Sequence, residues 1–466
     1  MFIGREREIA LLRERNWRDK AVLGAVYGRR RVGKTAMVEK AFEADCMWKF
    51  EGIEGEGPGF QIRNFLQTLE RLNNQDTPLD IQKIDSWQEA FIALDRCLGA
   101  KEVVVFFDEF QWMAGMRRKL VSVFKWAWDN CLSKNPCRRF ILCGSISSFM
   151  VRKVLRSKAL YGRIDTEIHL QPLSISETRD FFPRSKSDTE IIETFFVTGG
   201  IPQYLIELDP QKSLMQNLEA RAFRPNGYFL KEYRRVFISH FGRNEVYEKI
   251  LLALSRKSFM TAEELRKTLK HSAGGRFHQF IDDLVLADFI ERTAPVDKPV
   301  NSNLARYRLK DEYLHFYYTF IYRNIRAIEN ETIKAYQLLS GQPMEQWRGY
   351  AFDRLCLKNA RAIARALEFS GIQYQAGRWF RSQKGQKAQV DLMFIRADNI
   401  VTVCELKYTN RIDSRTVDSF EKRLETVSRC FKSGVQKVLV CGKKAKLPSR
   451  TSGYFDAVLW AEDIFF

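Results

Sequence analysis

Short continuous apolar runs alternate with segments of helical spacing in the first part of the chain. Continuous apolar strands that lie between helices are typical of a parallel sheet covered on both faces. The pattern therefore predicts an α/β domain of doubly wound type up to about residue 170. The predicted strands are AVLGAVYG (21–28), KEVVVFF (101–107) and RRFILCGS (138–145), and the clearest helical segments are KTAMVEKAF (34–42) and RKLVSVFKWAWDNCL (118–132).

The strand pattern stops after IHLQPLS (168–174). Helical spacing up to about residue 240 predicts a small helical domain. Three further helical patterns between 244 and 292 precede a proline-bearing turn and the strand-like ARYRLK (305–310), an order typical of a winged helix. An aromatic helix is then expected at YLHFYYTFIYRNI (313–325), and the remaining pattern of helix, strands, helix and strand predicts a second α/β unit. The predicted domains are thus 1–170, 171–240, 241–325, a polar linker at 326–342, and 343–466.

Composition fits several folded domains. The chain has 466 residues, of which 45% are hydrophobic and 29% charged, and a length of this kind suggests about three or four domains. No apolar run approaches the ~18 residues that cross a membrane, and the charged start lacks a signal-peptide core. The nine cysteines form no CxxC pair, so we expect buried, reduced thiols. These features predict a cytoplasmic protein without a membrane partner.

The charge balance indicates a polyanionic partner. The 76 basic and 57 acidic residues give 76 − 57 = +19, and the sequence pI is about 9.5. A balance this basic favours nucleic acid as the partner. A basic surface that only maintains solubility is the alternative, and composition alone leaves both open.

A phosphate-binding loop is predicted at GRRRVGKT (28–35), between an apolar strand and a helix. Gly28 and Gly33 allow the backbone to wrap so that its N–H groups face phosphate oxygens. Lys34 reaches the β- and γ-phosphates, and Thr35 offers a hydroxyl to Mg²⁺. The flanking strand and helix favour this interpretation over a chance match in a turn. The rest of the loop is formed by Arg29, Arg30, Arg31 and Val32.

An acidic pair ends the buried strand in VVVFFDEF (103–110). We expect Asp108 to hold Mg²⁺ through water and Glu109 to polarise the attacking water. Two solvated carboxylates at a strand end are the alternative. Ser145, at the end of the strand in ILCGSISS (141–148), is placed to sense the γ-phosphate. The sequence therefore predicts ATP and Mg²⁺ as cofactors.

These motifs together resemble a known family. FIGREREIALL (2–12) resembles the N-terminal box of AAA+ and STAND-type ATPases, which borders the adenine pocket. With GRRRVGKT, FFDEFQWM (106–113), CGSISS (143–148), LYGRIDTEIHLQPLS (160–174) and TGGIPQYL (198–205), the set resembles the archaeal-type P-loop ATPase family. The resemblance covers nearly the whole chain, and many members of the family end in a PD-(D/E)XK nuclease-like domain.

The resemblance implies roles for individual residues. Asp108 and Glu109 would form the Walker B pair, Ser145 the first sensor, and Pro202 with its flanking glycines part of the lid. Gly4, Arg5 and Glu6 match the N-terminal box. Arg163 in the YGR step is a candidate phosphate or inter-subunit contact in a homo-oligomer, and a surface salt bridge is the alternative.

The segment VDLMFIRADNIVTVCELKYTN (390–410) predicts a hairpin that carries a second candidate site. With a turn near Asp398, antiparallel pairing joins residues whose numbers sum to about 796, which puts Asp391 opposite Glu405. Lys407 projects from the same face as Glu405. Two carboxylates suit Mg²⁺, and a lysine can orient the attacking water.

The D-x(13)-E-x-K spacing of this hairpin resembles the PD-(D/E)XK core, in which the Asp and Glu hold the metal. The upstream acid of that family would be Asp353 in GYAFDRLC (349–356), in place of a glutamate, and Val390 stands where the family often has proline. A chance match on an ordinary decorated hairpin is the alternative.

Nucleic acid contacts are expected in three places. The third helix of the predicted winged helix (275–289) carries Arg276, His278 and Gln279 on its first turn, where base edges would be met. Asp282 and Asp283 follow and are unfavourable near phosphates, so protein docking by this helix stays an alternative. The segments RWFRSQKGQK (378–387), with Arg378, Arg381, Lys384 and Lys387, and KKAKLPSR (443–450) are basic candidates.

The predicted fold is α/β: an AAA+ P-loop core with a parallel sheet, a helical lid, a winged helix and a restriction-endonuclease-like C-terminal domain. The predicted function is an ATPase of AAA+/STAND type, DNA-associated and coupled to a Mg²⁺-dependent nuclease. The alternative is a nucleotide-driven signalling or scaffolding switch whose nuclease-like domain binds but does not cut.

Overall fold

The computed structural model describes residues 2–14, 20–74, 80–145, 149–241, 244–257, 259–272, 275–299, 302, 304–383, 386–409, 412–413 and 415–466. Across these ranges no helix has the length and apolar character needed to cross a membrane. The chain divides into two compact units. The first comprises Met1–Pro172, Ile201–Gln203 and Leu286–Asp288, and the second comprises Leu173–Gly200, Tyr204–Val285 and Phe289–Phe466.

A five-stranded parallel sheet forms the centre of the first unit, which confirms the predicted sheet. Its order is β2-β3-β4-β1-β5, and every neighbouring pair runs parallel. The edge strand β2 was not predicted, because MWKFE is short and only alternately buried. The strands are β1 (Val22–Gly28), β2 (Met47–Glu51), β3 (Val103–Asp108), β4 (Arg138–Ser145) and β5 (Thr166–Leu170).

Helices pack against this sheet through two separate apolar clusters. Successive strand residues point to opposite faces, so Phe107 joins one cluster with Phe50 and Phe124, while Phe106 joins the other. All of these rings are buried. The helices are α1 (Glu6–Arg13), α2 (Lys34–Ala41), α3 (Pro58–Asn73), α4 (Trp87–Leu98), α5 (Phe110–Met113) and α6 (Arg118–Asn130), with short helical turns at Ile81–Lys83, Leu132–Lys134 and Met150–Leu155.

The second unit begins with a helical region. Side-chain caps fix where several of its helices start: Ser174 and Ser213 each form a capping box, and the Ser187 hydroxyl accepts from the Glu190 N–H. The helices are α7 (Ile175–Arg179), α8 (Asp188–Thr198), α9 (Pro202–Ile206, which starts in the first unit), α10 (Leu214–Ala222) and α11 (Tyr228–Phe241).

Three helices and a two-stranded antiparallel sheet follow. Met260 also forms an isolated bridge to Tyr307 of the second strand. The aromatic segment predicted as one helix is helical throughout, with π-type turns at Tyr317–Ile321, and the predicted linker contains two short helices whose Ile328 and Ala335 are buried. The elements are α12 (Glu245–Arg256), α13 (Ala262–Thr268), α14 (Gly275–Leu286), β6 (Ile290–Thr293), β7 (Arg306–Leu309), α15 (Glu312–Phe316), turns at Tyr317–Ile321 and Tyr322–Asn324, α16 (Ile325–Glu329) and α17 (Ala335–Leu338).

The C-terminal part contains a mixed five-stranded sheet of order β12-β11-β10-β9-β8. Strands β8, β9 and β10 pair antiparallel, whereas β10, β11 and β12 pair parallel. The elements are α18 (Gln342–Lys358), α19 (Ala360–Ala366), β8 (Tyr374–Gln383), β9 (Gln386–Arg396), β10 (Ile400–Lys407), α20 (Arg415–Cys430), β11 (Gly434–Cys441), α21 (Ser449–Ser452), β12 (Ala457–Trp460) and α22 (Ala461–Phe465). All nine cysteines are free thiols; Cys46 and Cys137 are exposed, so the expectation that all nine are buried was wrong.

Candidate functional sites

The predicted phosphate loop connects the end of β1 to the start of α2. Gly33 adopts the left-handed conformation, with φ of 87°, which favours glycine at the point where the loop enters the helix. The buried Lys34 ammonium donates to the carbonyl oxygens of Gly28 at 3.2 Å and Arg29 at 3.1 Å. The loop therefore surrounds the Lys34 ammonium, and phosphate oxygens can replace the two carbonyl oxygens as its hydrogen-bond acceptors.

The predicted N-terminal box contacts this loop. Gly4 and Arg5 both have left-handed φ values, 67° and 74°, and the buried Arg5 guanidinium donates to the Val32 carbonyl at 3.3 Å. A Cβ built on Gly33 would have Pro202 as its nearest neighbour, at 4.0 Å. The structure thus brings together, around the loop, residues that lie up to 198 positions apart in the sequence.

Thr35 and Asp108, which the sequence predicts as residues that hold Mg²⁺, contact each other. The Thr35 hydroxyl donates to the Asp108 carboxylate at 2.8 Å, and Asp108 is buried at the end of β3. A hydroxyl beside a carboxylate is an oxygen donor set that suits Mg²⁺. Lys49 of β2 lies 3.5 Å from Asp108 and 2.9 Å from Glu39, and those carboxylates raise its pKa against the lowering effect of burial. We did not predict Lys49, because its strand escaped the apolar pattern.

Ser145, Glu109 and Gln111 form a hydrogen-bonded group at the ends of β3 and β4. The Ser145 hydroxyl donates to the Glu109 carboxylate at 3.1 Å, and the Gln111 amide donates to Ser145 at 3.2 Å and to Glu109. A side chain on Gly144 would overlap the Gln111 amide. Gln111 was not predicted, although it lies within FFDEFQWM, because a glutamine two residues after the acidic pair has no specific spacing signal.

Arg163 forms a salt bridge, which was the alternative to its predicted role as a phosphate or inter-subunit contact. Its guanidinium donates to both oxygens of Asp129, at 2.7 and 2.9 Å. This bidentate pair is the largest influence that lowers the pKa of Asp129 to about 2. Arg163 is therefore a salt-bridging residue within the first unit.

The predicted hairpin of the second unit has the predicted register. Val401 pairs with Ile395 and Cys404 with Leu392, so paired residue numbers sum to 796. One further step puts Asp391 opposite Glu405. Asp391 accepts from the Gln389 amide at 2.9 Å and lies 3.6 Å from the buried Arg378 guanidinium. Arg378 was predicted as a nucleic acid contact, whereas the structure buries it beside a carboxylate.

Glu405 is held by two cations. One carboxylate oxygen lies 3.0 Å from the Lys407 ammonium, and the other accepts from the Arg423 guanidinium at 2.5 Å. In the part of the chain that the structure describes, no group of three or more His, Cys, Asp or Glu side chains is arranged to hold a metal ion. Arg423 was not predicted, because it lies on α20, a different element from the hairpin, and only the fold brings it to Glu405.

Asp353 of α18 lies in the field of the two hairpin carboxylates. Burial, followed by the charge of Asp391, raises the pKa of Asp353 to about 7, while Arg378 opposes that rise. Glu405 contributes in the same direction as Asp391. Asp353, the predicted upstream acid, is therefore close enough to both predicted metal ligands for their charges to raise its pKa.

Residues of the two basic segments that were predicted to contact nucleic acid instead contact other residues of the second unit. The backbone N–H of Val296, between β6 and β7, donates to the Arg378 carbonyl at 2.8 Å, and Arg306 lies over the Phe380 ring at 4.4 Å. Lys443 pairs with Glu193 at 3.2 Å. On α14, Arg276, His278 and Gln279 are exposed. Lys384 lies outside the described residues, as does the side chain of Lys387.

The parallel sheet, the loop around Lys34 and the acidic pair that ends β3 define the first unit as a P-loop ATPase core. Residues 63–208, downstream of the loop, match a family described as an ATPase domain predominantly from Archaea, and residues 317–420 match a family of archaeal and bacterial proteins of unknown function. The first unit thus has a P-loop ATPase core, and residues 63–208 match that archaeal ATPase domain.

Individual proteins are similar to this chain in sequence or in fold. An uncharacterised protein of Methanocaldococcus jannaschii is 27% identical over 388 residues, 82% of each chain. The Walker-type ATPase of Pyrococcus abyssi has a similar fold, with a TM-score of 0.51 and 20% identity over 68% of this chain and 96% of that one. The Aeropyrum pernix ORC2 protein is less similar, with a TM-score of 0.39 and 14% identity over 67% of this chain and 89% of that one.

Proposed function

We propose that the chain is a DNA-associated ATPase whose C-terminal α/β domain is a Mg²⁺-dependent nuclease controlled by the nucleotide. The observation that carries this proposal is the convergence of Asp391, Glu405, Lys407 and Asp353 at one end of the β9–β10 hairpin. A chain that also contains a P-loop ATPase core can couple the two sites.

At the nucleotide site, the residues of the chain bind and position the phosphates. Lys34 exchanges its two carbonyl partners for the β- and γ-phosphate oxygens, and Thr35 with Asp108 would hold Mg²⁺, which would neutralise the charge on the phosphates. Glu109 accepts the hydrogen bond of the attacking water. Ser145 and Gln111 orient the Glu109 carboxylate, so that its free lone pairs face the water.

At the hairpin site, Asp391 and Glu405 are the oxygen ligands that would hold Mg²⁺, which would polarise the phosphodiester and acidify water. Lys407 orients that water and stabilises the developing negative charge. Burial and the charge of Asp391 raise the pKa of Asp353, so this carboxyl is a neighbour that senses the charge of the two ligands and not a third ligand. These donor types fit phosphodiester hydrolysis.

The proposed domain organisation follows the same lines. We assign a lid to residues 171–240, a winged helix to 241–325 and a nuclease-like domain to 343–466. The segment between β6 and β7 contacts β8 through Val296, and Arg306 of β7 lies over Phe380, so this part of the assigned winged helix is occupied within the chain. The exposed Arg276, His278 and Gln279 leave α14 available to DNA. A cytoplasmic location and a homo-oligomer belong to the same proposal.

A cleavage assay tests the nuclease. Labelled single- and double-stranded DNA and RNA are incubated with Mg²⁺ or Mn²⁺, with and without ATP. We expect DNA cleavage that Lys407→Ala abolishes, that Lys34→Ala changes, and that Lys422→Ala on the exposed face of α20 leaves intact. Cleavage that persists unchanged in the Lys407→Ala protein would overturn the assignment of the site.

A second function is favoured by one observation. Both oxygens of Glu405 are held by cations, an arrangement that also suits a domain that binds nucleic acid without cutting it. In that case the protein is a nucleotide-driven signalling or scaffolding switch. It would show ATP-dependent changes in assembly state by light scattering, and no cutting at any metal concentration.

A further inference from the structure

Arg423 and Lys407 compete with any metal ion for the Glu405 carboxylate. The carboxylate is 4% exposed, whereas the side chains of Arg423 and Lys407 are 24% and 37% exposed. Each carboxylate oxygen thus has a cation beside it, and both cations are more exposed than the carboxylate. A divalent ion that binds Glu405 must displace one of them or accept a neighbouring positive charge.

Arg423 is better suited to leave than Lys407. Lys407 is on the same strand as Glu405, two residues away, so the pair shares one face of β10. Arg423 reaches in from α20, where its Nε donates to the Ser419 carbonyl at 3.2 Å and its guanidinium lies 5.7 Å from the Phe420 ring. These contacts support the base of the side chain on its own helix, while the terminal nitrogen makes the contact to Glu405.

The chemistry of a guanidinium points to its other partner. Its planar fork of donors matches a phosphate as well as a carboxylate, and it pairs with either in bidentate fashion. A nucleic acid strand that approaches the hairpin presents phosphates to the partly exposed Arg423. Transfer of the guanidinium from Glu405 to a phosphate frees a carboxylate oxygen at the moment when the substrate arrives.

We infer that Arg423 binds the substrate phosphate and blocks Glu405 until nucleic acid is present, so that substrate binding opens the metal site. This inference rests on the proposed nuclease function and deepens it. The order of binding is then nucleic acid first and metal second. Free protein would not carry a loaded metal at this site, which protects other nucleic acids from cutting.

The test measures Mn²⁺ binding to the full chain without nucleotide, by electron paramagnetic resonance, with and without a phosphorothioate DNA duplex. Binding to the DNA itself is subtracted with the Glu405→Gln protein. In the wild type we expect the duplex to tighten Mn²⁺ binding about tenfold or more. Arg423→Gln should tighten Mn²⁺ binding without DNA by a similar factor, remove the further effect of the duplex, and weaken DNA binding.

Two further variants make the result specific. Arg429→Gln, on an exposed position of the same helix, should behave as wild type. Arg423→Lys keeps the ion pair with Glu405 but loses the fork, so it should weaken DNA binding while Mn²⁺ binding without DNA stays weak, which covers the case in which Arg423→Gln does not fold.

The outcomes separate this inference from the proposed function. If Arg423→Gln leaves Mn²⁺ binding without DNA unchanged or weaker, the Arg423–Glu405 pair is structural and the inference is wrong, even if the wild type cuts DNA. If Mn²⁺ binding follows the expected pattern but no cleavage occurs, the role of Arg423 in blocking Glu405 is supported and the nuclease proposal is wrong. Mn²⁺ binding that is absent from every variant overturns both.

Discussion

The phenol of Tyr408 donates a hydrogen bond of 3.2 Å to the carboxylate of Glu193, which lies 215 residues earlier in the chain. The same carboxylate pairs with Arg348 at 2.8 Å and Lys443 at 3.2 Å. Tyr408 directly follows Lys407 at the end of β10, and Glu193 belongs to α8. A single acidic side chain thus joins the helical region to the strand that carries the candidate nuclease residues.

We expect Glu193→Gln to destabilise the second unit. The substitution keeps the shape of the side chain but removes the charge that two cations and a phenol share, and Glu193 is only 14% exposed. Loss of a mostly buried, charge-assisted network costs about 1–3 kcal/mol. Urea unfolding should show this as a lower midpoint. Glu245→Gln, which breaks an ion pair between Lys249 and the 76% exposed Glu245, should leave the midpoint of urea unfolding almost unchanged. Equal effects of the two substitutions would contradict this reading of Glu193.

Lys34→Ala should remove nucleotide binding. The buried ammonium is the positive charge that the loop encloses, and without it the phosphates lose their main cationic partner. We expect a loss of at least about 100-fold in ATP hydrolysis and in the affinity for a fluorescent ATP analogue. Lys40→Ala serves as the control, because Lys40 lies on the same helix but is 44% exposed and pairs with Glu43. An Lys34→Ala protein that hydrolyses ATP at the wild-type rate would exclude the loop as the nucleotide site.

Gln111→Ala should slow hydrolysis without weakening nucleotide binding. The Gln111 amide donates to Glu109 and Ser145. We therefore expect it to position the Glu109 carboxylate. We expect kcat to fall about tenfold while the affinity for nucleotide stays unchanged. Gln67→Ala, at an exposed position of α3, is the matched control. A change confined to KM would instead assign Gln111 to nucleotide binding.

The residues of the candidate nucleotide site could be picked out from the sequence because they form short, contiguous motifs. The loop that contains Lys34 and the pair Asp108–Glu109 each lie on one element, and the alternation of apolar strands with helices predicted the sheet that brings them together. The hairpin register followed from the turn position alone, since pairing in a hairpin is fixed by its turn.

Residues that act across elements were missed. Lys49, Gln111 and Arg423 reach their carboxylate partners only because the fold places separate strands and helices side by side. The basic segment at 378–387 shows the opposite error. The charge of this segment suggested that its side chains form a nucleic acid-binding surface, yet Arg378 is buried beside Asp391. The reason is that alternate side chains of a strand point to opposite faces of the sheet.

Asp353→Asn should stabilise the metal-free protein increasingly as the pH rises from about 4 to about 7. The pKa of Asp353 is raised from 3.8 to about 7, so the folded state keeps a proton that the unfolded state has lost. The folded state therefore loses relative stability with rising pH, and asparagine removes this effect. We expect a gain of about 1–3 kcal/mol at pH 8, after allowance for partial exposure, measured by urea unfolding in EDTA.

Asp129→Asn provides the control of opposite sign. Arg163 lowers the pKa of Asp129 to about 2, so its stabilising effect is present above the unfolded pKa of 3.8 and disappears as the pH falls toward 2. That substitution should destabilise the protein at neutral pH and have little effect at pH 2. If Asp353→Asn also destabilises the protein at pH 8, burial and the repulsion from the site carboxylates are not the dominant interactions of Asp353.

Glu312→Gln should destabilise the second unit more than any other substitution considered above. Burial alone would raise the pKa of Glu312, but Arg354 and Lys358 lower it to about 2. Arg354 lies 2.6 Å from the Glu312 carboxylate and is itself buried, so the substitution leaves a buried guanidinium without its counter-ion. Breaking a buried pair in this way costs about 3–5 kcal/mol, whereas Glu312→Leu combined with Arg354→Met should recover most of the loss.

The contribution of Glu312 to stability is complete above its unfolded pKa of 4.5 and is lost as the pH falls toward 2. Acid unfolding of the wild type should show this loss, and acid unfolding of the double variant should not. Arg354 is adjacent to Asp353 on α18, so the single substitution should also weaken Mn²⁺ binding at the hairpin site, and unchanged binding would show that α18 holds Asp353 in place without this ion pair.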